Sequence, residues 1–168
     1  DSPTRPHRLR SAVYTRLDIL YLRARISTAV EQTVIRFRRG SPDDPQNVIM
    51  LPGRLTRLKG HKLFIEALSI LTCANFRAVI VGDTKGRNDY VAELCELAQR
   101  LGLKTTGPEQ QLYFGGGCSD MPTAYSLADI IVSASTKPEA FGRIACEAQA
   151  IGKPVVATDH GGTCETLH

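Results

Sequence analysis

Four charged side chains stand at spacings that suit the grip of a charged, hydroxyl-bearing ligand. Arg54 and Lys59 flank the loop "PGRLTRLKG" (Pro52–Gly60), which leads into a helix. Arginine offers a fork of donors and lysine a point charge, so the two suit a diphosphate; a solvent-exposed basic loop is the other reading. Gly53 lets backbone approach a ligand closely. Glu139 and Glu147, with seven residues between them, lie in "STKPEAFGRIACEAQAIGKPVVATDHGG" (Ser135–Gly162). A helix opening at Phe141–Gly142 would aim the backbone N–H groups of Gly142, Arg143 and Ile144 at an anion, backed by the positive end of the dipole. Glu139 would be repelled by that anion and is better placed to accept bonds from neutral hydroxyls. Glu147 sits about 7.5 Å from Gly142 along the axis, at ~1.5 Å per residue.

Ile144, Glu147, Ala148 and Ile151 fall at i, i+3, i+4 and i+7, the spacing of a core stripe. A carboxylate on such a stripe needs donors. The vicinal hydroxyls of a ribose would serve, and so would a buried Arg or a backbone amide. The ligand read from this arrangement is a sugar–diphosphate–nucleoside: hexose at Glu139, phosphates over the helix start, ribose at Glu147.

Three further loops follow apolar runs. In "VGDTKGRND" (Val81–Asp89), Gly82 ends a strand. No G-x-G-x-x-G or Walker sequence is present, which disfavours a nicotinamide dinucleotide and a P-loop. In "YFGGGCSDMP" (Tyr113–Pro122), three consecutive glycines, Gly115–Gly117, after Tyr113 and Phe114 leave backbone N–H and C=O groups exposed, which either meet a nucleobase or form an unliganded turn. In "DHGGTCET" (Asp159–Thr166), Gly161 and Gly162 would line another wall. Glu165 is either a first-turn residue favoured by the dipole or a pocket residue, and His160 is equally open.

Alternating elements would carry these loops. Apolar runs at Val48–Pro52, Ala78–Gly82, Gln111–Gly116, Asp129–Ser135 and Pro154–Thr158 read as buried strands. Helical patterns at Lys62–Leu71, Asp89–Leu103 and Met121–Ala128, then from Phe141 and from Gly162, separate or follow them. Lys62–Leu71 places Leu63, Ala67, Leu68 and Leu71 on one face. Strands apolar throughout, alternating with helices, predict an α/β fold: a doubly wound, Rossmann-like parallel sheet covered on both faces. Ligands of such sheets bind at the carboxyl ends of the strands.

The chain has 168 residues and net charge +4. Residues 1–46 hold nine Arg, no Lys and five acidic residues; residues 47–168 hold twelve basic and twelve acidic. The excess is therefore confined to an Arg-rich arm, helical over Ser11–Phe37, followed by a linker at Arg38–Gln46. Such an arm is either a solvated helix face or a peripheral contact with an anionic membrane. Its few aromatics do not interleave with the arginines as a stacking surface would require, so nucleic acid is not expected as a partner. The domain boundary falls near Asn47. No apolar run approaches the ~18 residues of a membrane span. The five cysteines lack C-x-x-C spacing and read as reduced thiols of a cytoplasmic protein. No metal site is expected.

"GRLTRLKG", "EAFGRIACE" and "GKPVVATDHGGTCE" together resemble the nucleotide-sugar-binding domain of the family 4 retaining glycosyltransferases of GT-B architecture. "STKPEAFGR" and "TDHGG" look most like bacterial lipopolysaccharide-core hexosyltransferases. The resemblance covers residues 47–168 and implies a set of roles. Arg54 and Lys59 would hold the donor diphosphate and stabilise the leaving group. Glu139 would contact the hexose, and Phe141, Gly142, Arg143 and Ile144 would lie along sugar and phosphates. Glu147 would bind the ribose and the Tyr113–Gly116 backbone would face the base. It implies no divalent metal and no cofactor beyond the donor, and transfer to a saccharide or lipid-linked acceptor at the inner face of the membrane. A non-catalytic sugar-nucleotide module, or an epimerase or phosphorylase of similar architecture, would carry similar motifs. The 46 preceding residues are too few for an acceptor domain, and the chain stops within an expected helix. A partner domain or chain is therefore expected to supply the acceptor half.

Overall fold

The structure, a computed structural model, describes residues 26, 28, 47–71, 75–86, 88–159 and 161–166, the last segment without the side chains of 164 and 165. The expected basic arm and its linker lie outside the described residues apart from Ile26 and Thr28. Ile26 is buried in the core.

Five strands are present among the described residues: β1 (Asn47–Pro52), β2 (Phe76–Val81), β3 (Leu112–Gly116), β4 (Ile130–Ser133) and β5 (Val155–Ala157). Helices α1 (His61–Leu68), α2 (Asn88–Arg100), α3 (Met121–Ser126), α4 (Arg143–Ala150) and α5 (Thr163–Thr166) connect or follow them. All strand pairings are parallel, in the order β3-β2-β1-β4-β5.

The period-two alternation of each strand feeds two cores. Ile49 and Leu51 of β1, Ala78 and Ile80 of β2, and Ile130 and Val132 of β4 face one side. There they meet Leu63, Phe64 and Leu68 of α1 and Leu94 and Ala98 of α2. Met50, Val81 and Ile131 face the other side, against Ala124 and Tyr125 of α3 and Ala148 of α4. Helices therefore cover both faces, as the uninterrupted apolar strands require.

Several element ends differ from the sequence reading: α2 stops at Arg100 rather than Leu103, α3 at Ser126 rather than Ala128, and β4 at Ser133 rather than Ser135. Helix α1 stops at Leu68, short of the expected Leu71, which is only partly buried against the first core. Helix α4 has eight residues and ends at Ala150. Ile151 caps it and is exposed, so the predicted stripe loses its last member. The buried face is instead Ala145 and Ala148, with Ile144 packed alongside. Ile151 has already left helical geometry (φ −105°, ψ 16°), so the i+7 position is not carried back to the sheet.

Candidate functional site

The strand order reverses between β1 and β4. Successive strands run outward from β1 to β3, and the chain then returns to the other side of β1. At such a switch point the loops leaving two neighbouring strands diverge to opposite faces and open a crevice.

The loop after β1 forms one wall and is held from both sides. Gly53 N–H donates to Val81 O at 2.8 Å and Leu55 N–H to Asp83 O at 3.2 Å. A short 3-10 turn, Arg57–Lys59, follows, and Thr136 N–H donates to Leu58 O at 2.9 Å. Behind this turn His61 is fully buried, its Nδ1 3.2 Å from Thr56 O. Gly60 packs so closely on the backbone just after β4 that a Cβ would stand 1.8 Å from Ala134 O.

The loop after β4 forms the opposite wall. Thr158 Oγ1 donates to Ser135 O at 2.9 Å, and Gly162 N–H donates to Glu139 O at 2.8 Å. Gly161 and Gly162 therefore buttress the backbone around Glu139 from behind, where a Cβ on Gly162 would meet Ala140 O at 2.7 Å. They were expected to line a wall of the cleft but do not, because Pro138–Phe141 lies across them. His160 and the Glu165 side chain fall outside the described residues. Gly142 adopts the left-handed conformation (φ 59°) as N-cap of α4, with no side-chain cap, leaving the helix start to backbone amides.

A cleft of about 370 Å³ lies between these walls, lined by Gly53, Arg54, Lys59, Glu139, Ala140, Phe141, Gly142, Arg143, Ile144 and Glu147. Nine of these ten were singled out from sequence; Ala140 was not. Gly82, Tyr113, Phe114 and Gly115 do not line it. A Cβ on Gly82 would sit 1.9 Å from Gly53 O, so its bareness serves the packing of the β1 loop. Tyr113, Phe114 and Gly115 are on β3, two strands from β1, and Phe114 packs against the first core.

Four of the five charged residues that line the cleft are paired with one another. Lys59 Nζ lies 2.6 Å from Glu139 Oε1, with both side chains about a quarter exposed. Ser135 Oγ donates to the same oxygen. Glu147 accepts from Tyr125 O–H at 2.9 Å and from Arg143 Nη2 at 3.2 Å. Burial, and then the Glu147 carboxylate, push the Tyr125 phenol well above its ordinary range, so it remains a donor. Sequence spacing had found neither Ser135 nor Tyr125. Ser135 ends the apolar run Asp129–Ser135, two residues past β4, and was legible as a hydroxyl at a strand's exit, but Tyr125 sits on another helix.

Residues 31–168 match the family model of the glycosyl transferases group 1. The chain is 35% identical over 136 residues to the D-inositol 3-phosphate glycosyltransferase of Xylanimonas cellulosilytica, covering 81% of this chain and 31% of that protein. Its fold overlays on Anabaena Alr3699/HepE in complex with UDP and glucose, with TM-score 0.66 and 32% identity, over 92% of this chain and 37% of that one. It also overlays on the C-terminal domain of a glycosyl transferase group 1 family protein (LpcC) from Francisella tularensis, with TM-score 0.61 and 28% identity, over 82% of this chain and 69% of that one. The chain spans about a third of the length of the curated relatives it matches.

Proposed function

Because this chain belongs to the group 1 glycosyl transferases and has the fold of their C-terminal GT-B domain, we propose that it binds the donor for a retaining hexose transfer. The donor is a nucleoside diphosphate sugar. The acceptor is a saccharide or lipid-linked saccharide of the cell envelope, presented by a second domain or chain. UDP-glucose is the first donor to test, since the similar Anabaena protein holds UDP and glucose.

The observation that carries this reading is the meeting of Lys59 and Glu139 across the β1–β4 switch point, beside the open start of α4. As the glycosidic bond breaks, negative charge grows on the departing diphosphate. Lys59, held by Glu139, and the first amides of α4 are fixed donors at that place, with the exposed Arg54 beside them, and such preorganised donors lower a barrier most where charge develops. These groups take the part that a divalent metal takes elsewhere. Glu139, already accepting from Ser135, is set to accept from hexose hydroxyls. Glu147 accepts the ribose diol. Arg143 and Phe141 stand at the mouth, both largely exposed. The nine arginines of residues 1–46 suit contact with the anionic inner face of a membrane, where a lipid-linked acceptor would be met.

Calorimetry of this chain with UDP, GDP and ADP tests the reading. One of them binds, and Lys59→Ala and Arg54→Ala each weaken it about tenfold, the order expected for one charge-assisted contact. No binding by any of the three, or two variants indistinguishable from the parent, would remove the assignment.

A further inference from the structure

We infer that Tyr125 is a positioning residue for the nucleoside, its phenolic O–H fixing the Glu147 carboxylate in the orientation that accepts the ribose diol. The inference rests on the donor reading above and adds to it a residue from outside the cleft wall.

Tyr125 belongs to α3, a six-residue helix with Pro122 in its first turn and an Asp120 cap that accepts from Thr123 N–H at 3.1 Å. Its ring is fixed in the second core with Met50, Ile131 and Ala148, and the residue is only 2% exposed. Its one polar atom emerges at the edge of that core and donates to Glu147 Oε2 at 2.9 Å. The donor is therefore rigid.

The second donor to Glu147 is of another kind. Arg143 reaches Oε1 at 3.2 Å from one turn earlier on α4, and its side chain is 81% exposed. An exposed i, i+4 pair of this sort is weak and readily exchanged with solvent. An arriving diol can displace Arg143 but has no reason to displace Tyr125. A carboxylate offers about four acceptor sites, so one phenol leaves both oxygens able to accept.

Without the phenol, Glu147 would keep only its partner on its own helix. The carboxylate would then lie along the helix surface toward Arg143, away from the direction set by α3. Its place relative to the amides at the start of α4, and so the distance between ribose and diphosphate sites, is set by an element distant in sequence.

The test compares two ligands: the nucleoside diphosphate that the chain binds and its 2′,3′-dideoxy counterpart. Tyr125→Phe keeps the ring in its cavity and removes only the hydroxyl, and its thermal midpoint reports whether the core is intact. Tyr125→Phe weakens the parent nucleotide about tenfold, the range for a hydrogen bond to a charged group, and leaves the dideoxy nucleotide unchanged. Combined with Glu147→Ala, it adds nothing to the loss from Glu147→Ala alone. Equal weakening of both nucleotides, no weakening of either, or additivity with Glu147→Ala would overturn the inference while leaving Glu147 as the ribose ligand. If Glu147→Ala itself weakens both nucleotides alike, the ribose assignment fails first and the role of Tyr125 falls with it.

Discussion

Lys59 Nζ and Glu139 Oε1 are 2.6 Å apart although 80 residues separate them in sequence. The contact joins the loop leaving β1 to the loop leaving β4, at the place where the sheet reverses direction. It holds a cation ready for a diphosphate and a carboxylate ready for hydroxyls, each holding the other in place until a ligand arrives. A donor would share Lys59 with Glu139, so part of its binding energy goes into loosening this pair.

Glu139→Gln separates the two jobs. The amide keeps the shape and a hydrogen-bonding oxygen but releases Lys59 from its ion pair. Affinity for the nucleoside diphosphate should stay the same or rise by a few-fold, since the cation no longer has an internal partner. The added affinity of the sugar nucleotide over the bare diphosphate should shrink about tenfold, the value of one charged hydrogen bond. Parallel titrations with UDP and UDP-glucose, or the guanine pair, give both numbers.

If the proposed hexose transfer takes place at this cleft, Lys59→Ala should lower its kcat more than it raises KM. A donor that acts on charge developing in the transition state is worth about a hundredfold or more in rate. Steady-state kinetics of that transfer check this; a change confined to KM would assign Lys59 to ground-state binding only.

Gly82→Ala should damage the protein without touching the ligand. Its new methyl would stand 1.9 Å from Gly53 O, a backbone atom that cannot move without shifting the β1 loop. Overpacking of this kind costs about 1–3 kcal/mol, or a thermal midpoint lowered by about 2–4 °C for each kcal/mol in a domain of this size. Nucleotide affinity should fall with it, because Gly53 and Arg54 move. Gly115→Ala is the contrast, since its nearest neighbours stay at ordinary contact from 3.5 Å. It should melt with the parent, and any loss of affinity it shows would report direct contact with the base.

Acid should destabilise the fold in two separable stages. His61 is fully buried, and burial holds its pKa below the ordinary 6.5. The unfolded chain therefore binds the proton more readily, and His61 contributes stability that is present above 6.5 and lost as pH falls below it. The pKa of Glu93 is lowered to about 2, first by its bond from Arg57 (2.7 Å) and then by that from Lys62. It contributes stability present above its ordinary value of 4.5 and lost as pH falls toward about 2. Thermal midpoints of His61→Leu and Glu93→Gln against pH should each be flatter than the parent in its own window. Added salt should reduce only the Glu93 effect, because that cluster is exposed.

Much of the architecture was readable in residues 47–168 before any coordinates. Apolar runs such as "VIMLP" and "DIIVSAS" marked strands buried on both faces, and the intervening helical patterns implied parallel crossovers. Nine of the ten residues that line the cleft were legible in the segments that follow those strands, the loops and the first turns of α4. The ends of α1 and α4 were misjudged, because apolar periodicity continues past the point where the chain turns away, as at Ile151.

Contacts within a single element, such as Arg143 with Glu147 four residues on, follow from helix geometry and need nothing but spacing. Which loop faces which depends on strand order, and strand order follows from how all five strands and both helical layers pack at once. That is why the Lys59–Glu139 bridge, the Tyr125 support of Glu147 and the service of Gly82 to Gly53 emerged only in three dimensions. Each joins segments whose separation along the chain carries no information about their distance in space.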